Sequence, residues 1–150
     1  MGTHTNRVDA KGRVSIPAAF RAVLRAGAVE GPVHVVLRPS HKYPCIEGWS
    51  PAGFDELLAS LDRLATYSDD HEDLAAALAG SAQLFEADKE GRISLPPAMA
   101  AHAGITETLS FVGAAKSFRI WEPAAAEKRL REANGRLLSD RLSLPAGPRP

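Results

Sequence analysis

The chain has 150 residues, 45% of them hydrophobic, and its 18 Lys/Arg balance 18 Asp/Glu to a formal net charge of zero. This length and composition are typical of a globular protein with one core or two small halves, and they exclude a wholly disordered chain. The single cysteine, Cys45, excludes an internal disulfide and a cysteine-based zinc cluster. Neither a membrane-spanning apolar run nor the apolar core of a signal peptide is present, so we expect a cytoplasmic protein.

The charges are sorted along the chain rather than mixed. Residues 1–42 carry seven Lys/Arg against two Asp/Glu, whereas residues 43–90 carry two against eleven and residues 91–150 carry nine against five. Two basic blocks therefore flank an acidic one. Local surface potential decides whether a polyanion can approach, so a net charge of zero does not exclude nucleic acid.

One short motif occurs twice, 79 positions apart. Residues 8–17 read V-D-A-K-G-R-V-S-I-P and residues 87–96 read A-D-K-E-G-R-I-S-L-P. Internal duplication is the simplest explanation. The identical positions are Asp9/Asp88, Gly12/Gly91, Arg13/Arg92, Ser15/Ser94 and Pro17/Pro96.

Each copy of the motif predicts a tight turn that leads into a strand. Gly12 suits a turn position with positive φ, and the carboxylate of Asp9 can accept hydrogen bonds from backbone N–H groups of the turn. Alternation with a period of two then places Val14 and Ile16 on one face and Arg13 on the other. The arginine is thus predicted to point away from the core, and the same holds for the second copy.

The remaining elements repeat in the same order in both halves. Each half is predicted to read strand, turn, strand, short helix, two strands, Trp-x-Pro and a longer helix, and Trp49 and Trp121 are interpreted as core anchors. We divide the chain into a first repeat at 1–79, a second repeat at 80–132, and a helix end with a disordered tail at 133–150. Gly27 and Gly104 are predicted to be left-handed caps of the short helices.

Two helices are predicted after Trp49 in the first half: the longer helix that begins at Pro51, and a further helix over 68–78. In the first of them, five apolar residues at helical spacing predict a buried stripe. These residues are Phe54, Leu57, Leu58, Leu61 and Leu64.

An acidic cluster at residues 69–73 resembles a metal site only in composition. Consecutive helical residues fan around the axis instead of converging, and the glycine-containing pattern of a calcium loop is absent. No nucleophile–base pairing, phosphate-binding loop or zinc signature is found either. We therefore predict no metal, no cofactor, no catalytic residues and no enzymatic activity.

The paired motif resembles the MraZ family of bacterial transcriptional regulators, within the AbrB-like swapped-hairpin superfamily. The resemblance rests on two D-x-x-G-R motifs, each followed by apolar-x-apolar-Pro, and covers about residues 3–132. It implies an α+β fold in which duplicated hairpin halves form a small β-barrel-like core with flanking helices.

The resemblance also implies that the D-x-x-G-R loops contact double-stranded DNA. Arg13 and Arg92 are expected to contact bases, because an arginine fork can pair with guanine in the major groove, and Lys11 and Lys89 are expected to contact the DNA backbone. The resemblance also includes Gly12 and Gly91 among the DNA-binding residues of the loops. Asp9 and Asp88 would shape the turns or brace the arginines.

Members of this family form rings and bind tandem G-rich boxes upstream of the gene cluster for division and cell-wall synthesis, usually as repressors. The resemblance therefore implies a nucleoid-associated homo-oligomer of the octamer or dodecamer class that binds promoter repeats.

Two other interpretations remain open from the sequence. In the first, the motifs serve only as turns, with each arginine in a salt bridge to its aspartate. Alternatively, the chain is a structural or antitoxin-like protein-binding module of the same superfamily, which would hold a partner with its helices or tail.

Overall fold

A computed structural model describes residues 1–25 and 30–146 of the chain. Within these ranges, eight strands and five α-helices alternate along the chain. The strands are β1 (Thr3–Arg7), β2 (Arg13–Ser15), β3 (His34–Pro39), β4 (Ile46–Trp49), β5 (Gln83–Glu86), β6 (Arg92–Ser94), β7 (Thr108–Ala114) and β8 (Ser117–Trp121). The helices are α1 (Ala18–Leu24), α2 (Pro51–Ala59), α3 (Asp69–Ala79), α4 (Pro97–Ala103) and α5 (Pro123–Ser139), and a 3-10 helix spans Ser60–Arg63.

Six strands form one antiparallel sheet in the order β1-β7-β8-β4-β3-β5, and β2 and β6 form a separate two-stranded ribbon. The strands that precede the two motifs pair with the opposite half of the chain. Thr3 of β1 lies opposite Val112 of β7, and His34 of β3 lies opposite Glu86 of β5. The first arm of each motif therefore joins the sheet next to a strand of the other half rather than pairing with its own second arm.

The core lies between this sheet and the ribbon with its two short helices. Alternation turns one face of the ribbon inward, where Val14 and Ile93 are 1% and 3% exposed. Phe20 of α1 meets Phe118 of β8 at a ring-centroid distance of 5.2 Å, in an edge-to-face arrangement. On the other face of the sheet, Trp121 packs in a smaller cluster under α5.

The α+β class and the predicted order of elements are confirmed, but the predicted barrel is not. Among the described residues β1 and β5 are the two edges of an open sheet, because the motif strands that could have closed it form their own ribbon. Of the two tryptophans, Trp121 is buried and Trp49 is half-buried. Gly104 caps α4 at φ 66°, as predicted, whereas Gly27 lies outside the described residues.

The helical stripe after Pro51 is less buried than its pattern predicts. Helix α2 ends at Ala59 and continues as a 3-10 turn, which changes the angular spacing of the later leucines. Only Phe54 is buried, and the four leucines are half-buried. At the other end of the chain α5 ends at Ser139, and residues 140–146 form neither helix nor strand.

A buried arginine, Arg38, forms an ion pair within the sheet and a hydrogen bond to α3. Arg38 of β3 is 0% exposed, and its Nη1 lies 2.8 Å from Oε1 of Glu47 on β4. Its Nη2 donates to the carbonyl of Ala77 in α3 at 3.1 Å. Breaking such a pair leaves a buried charge without compensation, so Arg38 is a structural arginine. The sequence did not distinguish it from the surface arginines.

Candidate functional site

The ribbon of β2 and β6 places the two motif arginines on one outward face. Arg13 lies opposite Ser94 and Ser15 lies opposite Arg92 in the antiparallel register. The two arginines are therefore diagonal neighbours across the ladder, and such neighbours are typically about 7–8 Å apart, with Cβ atoms somewhat closer. Arg13 and Arg92 also line one open depression of about 480 Å³.

The first motif forms a compact turn over residues 9–13, here called loop one. Oδ1 of Asp9 accepts hydrogen bonds from the backbone N–H groups of Lys11 and Arg13, both at 2.9 Å. Oδ2 of the same carboxylate accepts from Nε of Arg13 at 2.9 Å. Gly12 has φ 77°, a value that favours glycine. Asp9 therefore shapes the turn and braces the arginine.

The second motif, residues 88–92 or loop two, repeats this geometry. Oδ1 of Asp88 accepts from the backbone N–H groups of Glu90 and Arg92 at 3.0 and 2.9 Å, and Oδ2 accepts from Nε of Arg92 at 2.9 Å. Gly91 also has φ 77°. One contact is additional, since Nη2 of Arg92 donates to Oε2 of Glu90 at 3.2 Å.

Two reciprocal hydrogen bonds join the loops. The N–H of Ile16 donates to the carbonyl of Gly91, and the N–H of Leu95 donates to the carbonyl of Gly12, both at 2.9 Å. Each loop is thus held by the strand end of the other motif. Sequence patterns cannot show this link, because it joins residues far apart in the chain.

The guanidinium of each motif arginine is bound to an aspartate through Nε, and the side chain is partly exposed to solvent. Both arginine side chains are 31% exposed. Within residues 1–25 and 30–146, no acceptor binds Nη1 or Nη2 of Arg13, whereas Arg92 has one such acceptor, Glu90. The ion pairs considered from the sequence therefore form, and they leave guanidinium N–H groups directed away from the aspartates.

The loops perturb the ionisation of their own residues. The backbone N–H of Arg13 and then its side chain hold the pKa of Asp9 below its ordinary value, and Arg92 has the same effect on the pKa of Asp88. The hydrogen bond to Asp88 raises the pKa of Arg92, with smaller contributions from the charges of Glu90 and Asp9. The influence of Asp9 on Arg92 places the two loops within electrostatic reach.

The structure brings all the predicted site residues together at one end of the molecule. Lys11 and Lys89 are exposed at the loop tips but are not equivalent, because Lys11 aligns with Glu90 and Lys89 aligns with Ala10. Sequence reasoning missed Glu90 as a partner of Arg92. The available signal was the presence of a carboxylate in a loop position that is a lysine in the first copy.

Three further observations concern metal ligands, the cysteine and membrane-spanning helices in the described ranges. No group of three or more His, Cys, Asp or Glu side chains that could hold a metal ion occurs there. Burial raises the pKa of Cys45 to about 11, so its thiol is protonated at neutral pH and is a poor nucleophile. In the same ranges, no helix is both long and apolar enough to cross a membrane.

Comparisons with known proteins agree with the motif geometry. A family model described as "MraZ protein, putative antitoxin-like" matches residues 1–75 and 78–146. A protein of Gluconacetobacter diazotrophicus named transcriptional regulator MraZ is 56% identical over 146 residues, which are 97% of this chain and 91% of the relative. Proteins with the same name from Gluconobacter oxydans and Xanthobacter autotrophicus are 52% and 40% identical, each over 91% of this chain and over 83% and 85% of the relatives. The chain belongs to the MraZ family.

Proposed function

We propose that this protein is a transcriptional regulator that binds double-stranded DNA through loops one and two. The observation that supports this best is the ribbon, which presents two half-exposed arginines on one face, each anchored through Nε and offering other N–H donors. The name shared by the curated relatives, transcriptional regulator MraZ, agrees with the proposal.

The dimensions of the ribbon suit a major groove. A two-stranded ribbon has strands about 4.8 Å apart and enters a groove about 12 Å wide. Diagonal neighbours on an antiparallel ladder are typically about 7–8 Å apart, which corresponds to roughly two base-pair steps of 3.4 Å. One subunit would therefore read only a short DNA segment.

The loop residues divide between base contact and backbone contact. Arg13 and Arg92 would pair with guanine O6 and N7, and each such contact is worth roughly 1–3 kcal/mol of discrimination. Lys11 and Lys89, at the exposed tips, would neutralise phosphates. Asp9 and Asp88 bind backbone and arginine within the loop, so they act on DNA only through the shape of the turn.

A short contact per subunit gives low affinity unless several subunits bind together. We therefore propose a ring-shaped homo-oligomer of the octamer or dodecamer class, because linked binding units raise the effective concentration of each later contact. Its target would be tandem short repeats in the promoter of the division and cell-wall gene cluster, with repression as the outcome. Light scattering would test the assembly, and a stable monomer would contradict the ring.

A DNA titration tests the proposed interface. We expect tight binding to the DNA upstream of the protein's own gene, with an affinity that falls steeply as salt rises. Arg13→Ala and Arg92→Ala should each weaken binding, and the double variant should lose specific binding while the oligomer persists. Arg131→Ala on α5, at an arginine whose side chain is 72% exposed, removes the same charge elsewhere and should bind like the parent. Unchanged binding by the double variant would refute the interface.

Two observations favour a second candidate, a protein-binding module. The family description includes the word antitoxin-like, and α5 and the segment after it expose several leucines. Exposed apolar side chains close together in sequence are typical of a surface that holds a partner. If the second candidate is correct, Leu137→Ser with Leu138→Ser should abolish partner binding, and the loop arginines should have no effect. The exposed leucines are Leu130, Leu137, Leu138, Leu142 and Leu144.

A further inference from the structure

Arg21 of α1 lies over loop two, although it belongs to the first half of the chain. Its Nη1 donates to the carbonyl of Ile16 at 2.7 Å. A Cβ atom added to Gly91 would lie 2.9 Å from Cδ and 3.0 Å from Cζ of Arg21, so the side chain covers this glycine closely. Gly91 is buried as a result.

Among the described residues, loop one has no equivalent contact. Counted from Pro17 and Pro96, the position of Arg21 corresponds to Ala100 in α4. A Cβ atom added to Gly12 would have the carbonyl of Leu95, at 4.0 Å, as its only neighbour within 4 Å in the described residues. Within residues 1–25 and 30–146, the covering contact therefore exists on loop two only, although the two loops have the same backbone conformation.

Arg21 also balances the charges of loop two. Loop one contains Lys11 and Arg13 against Asp9, which gives one net positive charge, whereas loop two contains two acidic and two basic residues. The guanidinium of Arg21 shares a cleft of about 230 Å³ with Lys89 and Glu90 of loop two. Its charge makes the surroundings of loop two as positive as loop one.

We propose that Arg21 is a positioning residue for loop two, which holds Gly91 and hence Arg92 in the geometry that meets DNA. This inference rests on the proposed function, because it assumes that the loops contact DNA. Arg21 restricts the backbone of loop two before binding, and a segment that is already ordered loses less conformational entropy when it binds. Loop one, without such a cover, adjusts during binding.

The first test needs no DNA. Hydrogen exchange of the Gly12 and Gly91 amides in the parent protein should show slower exchange at Gly91, although both N–H groups bond to the carbonyl of their aspartate at 3.0 and 2.9 Å. Arg21→Lys keeps the positive charge but removes the planar guanidinium that covers Gly91. This variant should accelerate exchange at Gly91 and not at Gly12. Equal exchange at the two glycines in the parent would refute the positioning role.

The second test is a double-mutant cycle on DNA binding. Arg21→Ala should weaken binding about threefold, and it should add nothing further in the Arg92→Ala background. In the Arg13→Ala background its full effect should persist. Equal effects in both backgrounds, or no effect at all, would overturn the proposal.

Two control variants distinguish a failure of the positioning role from a failure of the proposed DNA contact. Arg25→Ala removes a charge from the same cleft but leaves the cover over Gly91, so it should not reproduce the coupling to Arg92. If it does, Arg21 acts by charge alone and the positioning role is refuted. Arg13→Ala with Arg92→Ala tests the proposed function itself, and unchanged binding there would reject DNA contact whatever the exchange data show.

Discussion

Loops one and two have the same backbone conformation but differ in the side chains that surround them. Both glycines have φ 77°, and the matching hydrogen bonds to Asp9 and Asp88 agree within 0.1 Å. Arg13 pairs with one carboxylate and lies in an open loop, whereas Arg92 pairs with two and its loop lies under Arg21. The motif thus determines the turn, and residues outside the shared positions determine how much positive charge each loop presents.

The largest expected difference concerns the two arginines in DNA binding. Arg13→Ala should weaken specific binding tenfold to a hundredfold, about 1–3 kcal/mol. The reason is that Arg13 pairs with one carboxylate, through Nε, and its other N–H groups can bind a base. Arg92→Ala should cost no more than about tenfold, since Glu90 already neutralises part of that charge. Parallel titrations at one salt concentration would measure both. An equal loss would show that the Glu90 contact is broken in the complex.

Substitution of the two turn glycines by alanine should lower the free energy of unfolding by different amounts. Gly12→Ala forces a non-glycine residue into positive φ, which costs about 1–2 kcal/mol. Gly91→Ala carries the same strain and also displaces Arg21 from the carbonyl of Ile16, which adds roughly 0.5–1.5 kcal/mol. Urea unfolding would measure the two costs. A larger loss for Gly12→Ala would contradict the covering role of Arg21.

Removal of Glu90 should leave Arg92 with one carboxylate partner, as Arg13 has. Glu90→Ala releases Nη2 of Arg92 and deletes a negative charge near the phosphates, so DNA affinity should rise severalfold, about 0.5–1 kcal/mol. The affinity should also become more sensitive to salt. Glu127→Ala on α5 is a matched control that deletes a carboxylate far from the loops in sequence. Tighter binding by both variants would indicate a general charge effect.

The smallest expected effect is a pH dependence that both loops share. Since the folded state lowers the pKa of Asp9 and Asp88, their contribution to stability is complete above the ordinary pKa and is lost as pH falls through the lowered value. Asp9→Asn and Asp88→Asn should therefore melt below the parent at neutral pH and approach it in strong acid. Thermal melts between pH 2 and 7 would show this, and a constant gap would contradict it.

The sequence pattern correctly predicted those features that are determined by residues close together in the chain. The turn glycines, the carboxylate that binds its own loop and the outward arginines follow from a ten-residue motif, and the structure places them as expected. The contribution of these residues to DNA binding stays a prediction. The barrel expectation was wrong because strand partners are set by long-range pairing, which a motif does not specify.

Contacts between distant residues could not be predicted in the same way. Arg21 and Arg38 look alike in the sequence, as single arginines beside apolar residues. One covers a glycine of the other half, and the other is fully buried against Glu47 and Ala77. Only the tertiary arrangement assigns a structural role to Arg38 and a place in the site to Arg21.

The pairing of β1 with β7 also has a consequence for synthesis on the ribosome. β1, which contains Thr3, cannot pair until β7, which contains Val112, has been synthesised. The ribbon likewise requires both β2 and β6. Pairing across such sequence separations forms late and slowly. A chain that ends before β7 would therefore have no paired β1 and, if it ends before β6, would also lack the ribbon that orients Arg13 and Arg92.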